Sequence, residues 1–271
     1  MPVGDASFDP RNYLGLGQAD FVPTQLVDTT FLETAWDDWL SDFDDMGRAQ
    51  LAIGRLPVRT SAEADTIIAK LVQYGQTSGP WQQKALLVAD NQDGQETPDE
   101  ADFAGMSIDV EALVPPQVQV KHIVLGQNRN TTRAELLRQL NSGQLVVNYV
   151  GHGSVDVWAG EELPTAADVY GLHNGPRLPL VVTLSCLNGF FHDVYIESLA
   201  EAWLKAPHGG AIAVWASSGL TAAKGQALIT ELFSSEGLTL GLAIQRAKAT
   251  VRPLDLRRTW ILFCDPTLRI R

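Results

Sequence analysis

Along most of this chain, short runs of consecutive apolar residues alternate with stretches whose apolar positions recur at helical spacing. A short apolar run bounded by turn residues suits a strand buried on both faces, and the longer periodic stretches suit helices. The runs at 51–58 (LAIGRLPV), 84–90 (KALLVAD), 120–126 (VKHIVLG), 144–153 (QLVVNYVGHG), 178–186 (LPLVVTLSC) and 209–218 (GGAIAVWASS) read as strands. Residues 61–75, 99–113, 131–143, 165–172, 194–205, 222–235 and 239–251 read as helices. The first has Ser61 at its cap and Gly75 at its stop. The closing RTWILFCDPTLRI (258–270) reads as a strand or hairpin. Strands alternating with helices build βαβ units, so the expected architecture is α/β, a mostly parallel sheet flanked by helices on both faces.

Two neighbouring strands end in reactive residues. One runs into Gly151-His152-Gly153, the other into Ser185-Cys186. In open α/β sheets ligands bind outside the carboxyl ends of the strands. If the two strands lie side by side and parallel, a thiol and an imidazole meet on that edge, the minimum for cysteine nucleophilic catalysis. Taken singly, a cysteine at a strand end is more often a buried structural thiol, and a histidine between glycines more often a turn residue. Their pairing favours chemistry. A helix N-terminus close to Cys186 would lower its pKa. Gly153 allows a close backbone approach, so its amide is a candidate oxyanion donor. Ser217-Ser218-Gly219, at the end of the next strand, reads as pocket wall.

Composition narrows the function classes. The chain has 271 residues, with 45% hydrophobic and 19% charged, enough for a sizeable core. A formal net charge of -12 argues against non-specific nucleic-acid binding. Two cysteines, Cys186 and Cys264, are too few for a disulfide framework and read as free thiols. Histidine and cysteine spacings do not suit zinc, and no phosphate-binding glycine loop or GxSxG elbow is present. The acidic turn Asp42–Gly47 has oxygen donors at alternate positions but lacks the spacing and terminal Glu of a calcium loop. An exposed turn is its simpler reading, with a structural calcium as the alternative; no cofactor is required. His192 beside Asp193 could open a helix. No stretch reaches membrane-spanning length, and MPVGDASFDP lacks the features of a signal peptide. The early VGD reads as the tail of a strand, which suggests a domain cut from a longer precursor.

The strings NYVGHGSVDVW, LSCLNGFF, AIAVWASS and TWILFCDPTLRIR resemble the gingipain family of cysteine endopeptidases, in the caspase-like clan. IGRLPVRTSAEADTIIAKLVQYG resembles that family's IGR strand and following helix. The resemblance implies a caspase-like fold. Residues 1–80, irregular in pattern, read as a truncated N-terminal subdomain of the same unit or as elaboration on the same sheet, and residues 81–271 as the catalytic domain. The resemblance implies Cys186 as nucleophile, His152 as proton donor to the leaving amine, and the Gly153 and Cys186 amides as oxyanion donors. It places a third, acidic residue after LLVAD, at Asp90 or Asp93. Asp102 falls nearest the acidic base of the specificity pocket, where a carboxylate would pair with a guanidinium and select Arg or Lys at P1. Trp215, Ala216, Ser217 and Ser218 would line that pocket. The implied partner is a peptide or protein substrate, and the implied setting is secreted or cell-surface. The alternatives are an idle caspase-like scaffold with an interaction or secretion-associated role, and a latent peptidase awaiting a partner or processing. Cys264 and the acidic loop 91–102 depart from the family pattern.

Overall fold

The computed structural model describes residues 24–91, 101–126, 128–193, 195–221 and 237–270, together with Val22. A hairpin of β1 (Gln25–Asp28) and β2 (Glu33–Trp36) leads into helix α1 (Ser61–Tyr74). Then follow β3 (Lys84–Ala89), α2 (Phe103–Glu111), β4 (Gln119–Val124), α3 (Arg129–Ser142) and β5 (Val146–Val150). The chain continues through α4 (Ala166–Tyr170), β6 (Leu180–Leu184), α5 (Leu199–Lys205) and β7 (Ala213–Ser217). It ends with α6 (Leu240–Thr250), α7 (Leu254–Thr259) and β8 (Trp260–Phe263). The segment read as a helix at 222–235 and most of the acidic loop 91–102, residues 92–100, lie outside the described residues.

The main sheet has six strands in the order β4-β3-β5-β6-β7-β8, parallel except for β8, which runs antiparallel to β7. This is the expected α/β architecture. Its strands are apolar on both faces because both faces are covered. Leu86, Val88, Val147, Tyr149, Val181, Val214 and Ala216 join one core cluster with residues of α3, α4 and α5. The alternate residues Leu87, Ala89, Val146, Val150, Leu180, Val182 and Trp215 join a second cluster with residues of α2 and α6. The period-two alternation of strand side chains divides the two cores. From β3 the chain goes outward to β4, then crosses back to β5 on the other side of β3. That reversal opens a crevice between the carboxyl ends of β3 and β5, the place where such sheets bind ligands.

Some boundaries differ from expectation. Helix α1 is capped by Thr60, not Ser61; Thr60 and Glu63 form a capping box. The 51–58 run is not a strand: it follows the edge of β8 with one backbone bond, Arg55 N–H to the Leu262 carbonyl at 2.8 Å. Pro57 has no N–H to extend a ladder there. The closing segment carries the strand β8, one of the two forms expected, with the short helix α7 before it. Arg55 nonetheless anchors this N-terminal region. It is a buried bidentate partner of Asp37, at 2.7 and 2.6 Å, and stacks 4.3 Å over the Phe191 ring.

Candidate active site

Register delivers the two reactive residues together. Val150 pairs with Leu184 across β5 and β6, and both strands run on for two residues to His152 and Cys186. The Gly151 N–H donates to the Leu184 carbonyl at 3.3 Å, so the pairing extends one rung past the strands proper. Gly153 comes closer still: a Cβ there would lie 2.8 Å from the Cys186 carbonyl oxygen and 3.0 Å from Ser185 Oγ. Only glycine permits this approach.

The backbone of His152 is held on both sides while its side chain stays exposed. Its N–H donates to Asp90 Oδ2 at 3.0 Å. Its carbonyl accepts from Tyr149 Oη at 2.6 Å and from the Ala159 N–H at 2.9 Å. Tyr149 Oη also lies 3.4 Å from Asp90 Oδ2, but its single proton serves the shorter contact. Burial, with the Asp90 charge beside it, pushes the Tyr149 phenol well above its ordinary pKa, so it remains a donor. Tyr149 is stacked flat on Trp158, at 4.4 Å and 5°. A Cβ on Gly151 would land on the Asp90 side chain and the Tyr149 hydroxyl, which accounts for glycine there. The His152 ring meets the edge of Phe103 at 5.2 Å and 82°.

Cys186 is half-buried and free. Its Sγ lies 3.4 Å from the Thr221 N–H nitrogen and 3.5 Å from the Thr221 carbonyl oxygen. Among the described residues, no helix starts directly after it: the chain turns at Leu187, and the next helix, α5, begins only at Leu199. Among the described residues, neither the Gly153 nor the Cys186 amide donates to a protein acceptor. Gly153 faces Trp158 across a bridge whose two bonds belong to its neighbours, Ser154 N–H to Val157 and Ala159 N–H to His152.

The acidic candidates separate. Asp90 is buried at the carboxyl end of β3, in the crevice where strand order reverses. Asp93 lies outside the described residues. Asp102 is exposed and caps α2, its Oδ1 accepting the Gly105 N–H at 2.8 Å. The next residue, Phe103, is the one against His152, so Asp102 stands close to the same edge. The expected pocket wall needs correction. Trp215 is 0% exposed and packs edge-on to Trp260 at 5.3 Å and 79°. Ala216, Ser217 and Ser218 are equally buried. Ser218 Oγ donates within reach of the Ala35 and Thr259 carbonyls, at 2.7 and 3.0 Å, and Ser217 accepts the Gly189 N–H at 2.8 Å. These four residues stand behind the site and brace it.

The site also involves residues that the sequence did not single out. Tyr149 and Asn188 are polar residues inside apolar surroundings, and their only sequence signal was that unexplained polarity. The Asp42–Gly47 turn spends both Asp42 carboxylate oxygens on backbone amides, those of Met46 and Gly47. Among the described residues, no group of three or more histidine, cysteine or acidic side chains is placed to hold a metal ion. Among them, too, no helix is long and apolar enough to cross a membrane.

Comparisons with known proteins bear on the fold and the family. Gingipain R2 of Porphyromonas gingivalis is 25% identical over 244 residues, covering 82% of this chain and 33% of that protein. Gingipain R1 of the same organism is 25% identical over 82% of this chain and 24% of its own length. The chain thus spans a third or less of these relatives. The crystal structure of the Arg-specific cysteine proteinase gingipain R (RGPB) superposes with a TM-score of 0.76 at 20% identity, over 91% of this chain and 61% of that one. The complex of the Porphyromonas gingivalis RgpB pro- and mature domains gives the same TM-score at 19% identity. The sequence profile of Peptidase family C25 matches residues 3–271, and the chain belongs to that family of cysteine peptidases.

Proposed function

We propose that the chain is a cysteine endopeptidase that cleaves after a basic P1 residue through a thioester on Cys186. The observation that carries this reading is the matched register of β5 and β6, which supports a shared edge for His152 and Cys186. In the proposed reaction the Cys186 thiol proton passes to the His152 imidazole, and the sulfur adds to the scissile carbonyl, forming a C–S bond while the C=O π pair moves to oxygen. The Gly153 and Cys186 amides donate to that oxyanion. Collapse expels the amine, which takes its proton from the His152 imidazole, and water then hydrolyses the thioester. Asp90 orients the histidine by fixing its backbone. Asp102 receives the guanidinium or ammonium of P1.

The Arg specificity of the similar RGPB proteinase supports the basic P1 preference. The complex of the RgpB pro- and mature domains supports a processing or activating partner for this chain too. The test is Cys186→Ala. It should abolish cleavage of a basic-P1 peptide reporter and labelling by a basic peptidyl chloromethylketone, with an unchanged melting temperature. Turnover equal to that of the unmodified protein would overturn the reading, and a chain that neither cleaves nor is labelled would favour an idle scaffold.

A further inference from the structure

We propose that Asn188 is the positioning residue that sets the oxyanion site. This rests on the reading of Gly153 and Cys186 as its amide donors. Asn188 is completely buried. Its Oδ1 accepts from Ser185 Oγ at 2.6 Å, and its Nδ2 donates to the carbonyls of Ser154 at 2.7 Å and Val157 at 3.0 Å. Ser185 immediately precedes Cys186, and Ser154 immediately follows Gly153. One side chain therefore staples the residue before one donor to the residue after the other.

The local backbone explains why such a staple is needed. The Asn188 N–H donates to the Cys186 carbonyl at 2.8 Å, two residues back, across Leu187 with φ of 59°. That is the bonding of a γ-turn with positive φ, the strained form, and it sits on a residue with a Cβ. A strained turn directly after the nucleophile persists only if its surroundings over-determine it. Here the Leu187 N–H donates to the Gly219 carbonyl at 3.1 Å, and the Asn188 carbonyl accepts from the Ala200 N–H at 2.9 Å. The side chain of Asn188 adds the link to the histidine loop. Its amide is suited to this place because it accepts on one side and donates twice on the other. An aspartate would set a carboxylate against two carbonyls.

The role predicts a split between two reactions of the same thiol. A peptidyl arginine aldehyde forms a hemithioacetal: the C–S bond forms, the π pair moves to oxygen, and the thiol proton ends there. Its stability depends on the oxyanion donors. Iodoacetamide alkylates the sulfur by displacing iodide and creates no oxyanion. Asn188→Ala should weaken aldehyde binding about tenfold or more, with the iodoacetamide rate at Cys186 unchanged within about threefold. Ser185→Ala, which removes one of the three staple bonds, should show a smaller loss with the same split; it serves where Asn188→Ala does not fold. The comparison reads geometry whether or not the chain turns over a peptide amide, so it is independent of the hydrolysis test. Unchanged aldehyde affinity, or an equal fall in both reactions, would overturn the assignment. Failure of the unmodified protein to form any aldehyde adduct would do so too, because no oxyanion site would then exist for Asn188 to set.

Discussion

Asp90 grips His152 by its backbone: the carboxylate at the end of β3 accepts the histidine amide at 3.0 Å, across the crevice between β3 and β5. The imidazole is thereby aimed through its main chain. The Tyr149 hydroxyl holds the carbonyl of the same residue at 2.6 Å. A histidine fixed at both peptide groups loses little freedom when substrate arrives, and small misplacements of such a group are costly in rate.

The first prediction follows from that grip. Asp90→Asn keeps an acceptor for the His152 amide, whereas Asp90→Ala removes it. Activity should fall in the order wild type, Asn, Ala, with kcat lower by about tenfold and about 100-fold and KM little changed. Steady-state kinetics on one peptide reporter decide it. Equal activity of all three proteins would remove Asp90 from the site.

Tyr149→Phe tests the other side of the same residue. The His152 carbonyl keeps its bond from Ala159, so it is not orphaned. The expected loss is about 1 kcal/mol of stability, with a measurable fall in kcat. Because Tyr149 Oη also borders Asp90, a double-mutant cycle with Asp90→Ala should show coupling of about 0.5 kcal/mol or more. Strict additivity in urea melts would mean that the two groups hold His152 independently.

Much of this arrangement was legible in the chain, because strand order and strand-end chemistry are written in local pattern. The apolar runs ending at His152 and Cys186 are buried on both faces, as a central parallel strand requires. Boundaries were less legible where two residues offered the same service. Thr60 and Ser61 can each cap a helix, and only Glu63, three residues after Thr60, decides between them. Trp215 was misplaced for a different reason. The family resemblance put it in the pocket wall, but parity turns it toward α6 and Trp260, on the face with the second core. Asn188 was illegible because the two carbonyls it donates to lie about 30 residues earlier in the chain, and no local pattern reports them.

Acid should weaken the fold through His192. Both ring nitrogens are buried, beside Phe190 and Phe191, and find no hydrogen-bond partner among the described residues. Burial holds the imidazole down to about 4, with Asp193 opposing and Arg55 adding to the effect. Unfolded, the group titrates near its ordinary value of 6.5. Between those two values the unfolded chain binds more protons, so stability is complete above about pH 6.5 and is lost as pH falls toward 4. The full effect is on the order of 3 kcal/mol. His192→Leu should flatten the melting-temperature curve over that window. Parallel curves for the two proteins would assign the acid sensitivity elsewhere.

Asp102 has two separable duties, and one substitution tells them apart. As the cap of α2 it accepts the Gly105 N–H, a service that asparagine performs equally well. As the proposed partner of a basic P1 side chain it must carry charge, which asparagine cannot supply. Asp102→Asn should therefore leave the melting temperature unchanged while kcat/KM for Arg and Lys substrates falls by about 100-fold or more, the scale of a lost charge-assisted pair. Asp102→Ala should lose the same specificity and in addition about 1 kcal/mol of stability. Substrates with a neutral P1 should be cut no more slowly by either variant. If instead Asp102→Asn keeps the basic preference, the carboxylate serves only the helix, and the selecting charge must come from elsewhere around the Cys186 edge.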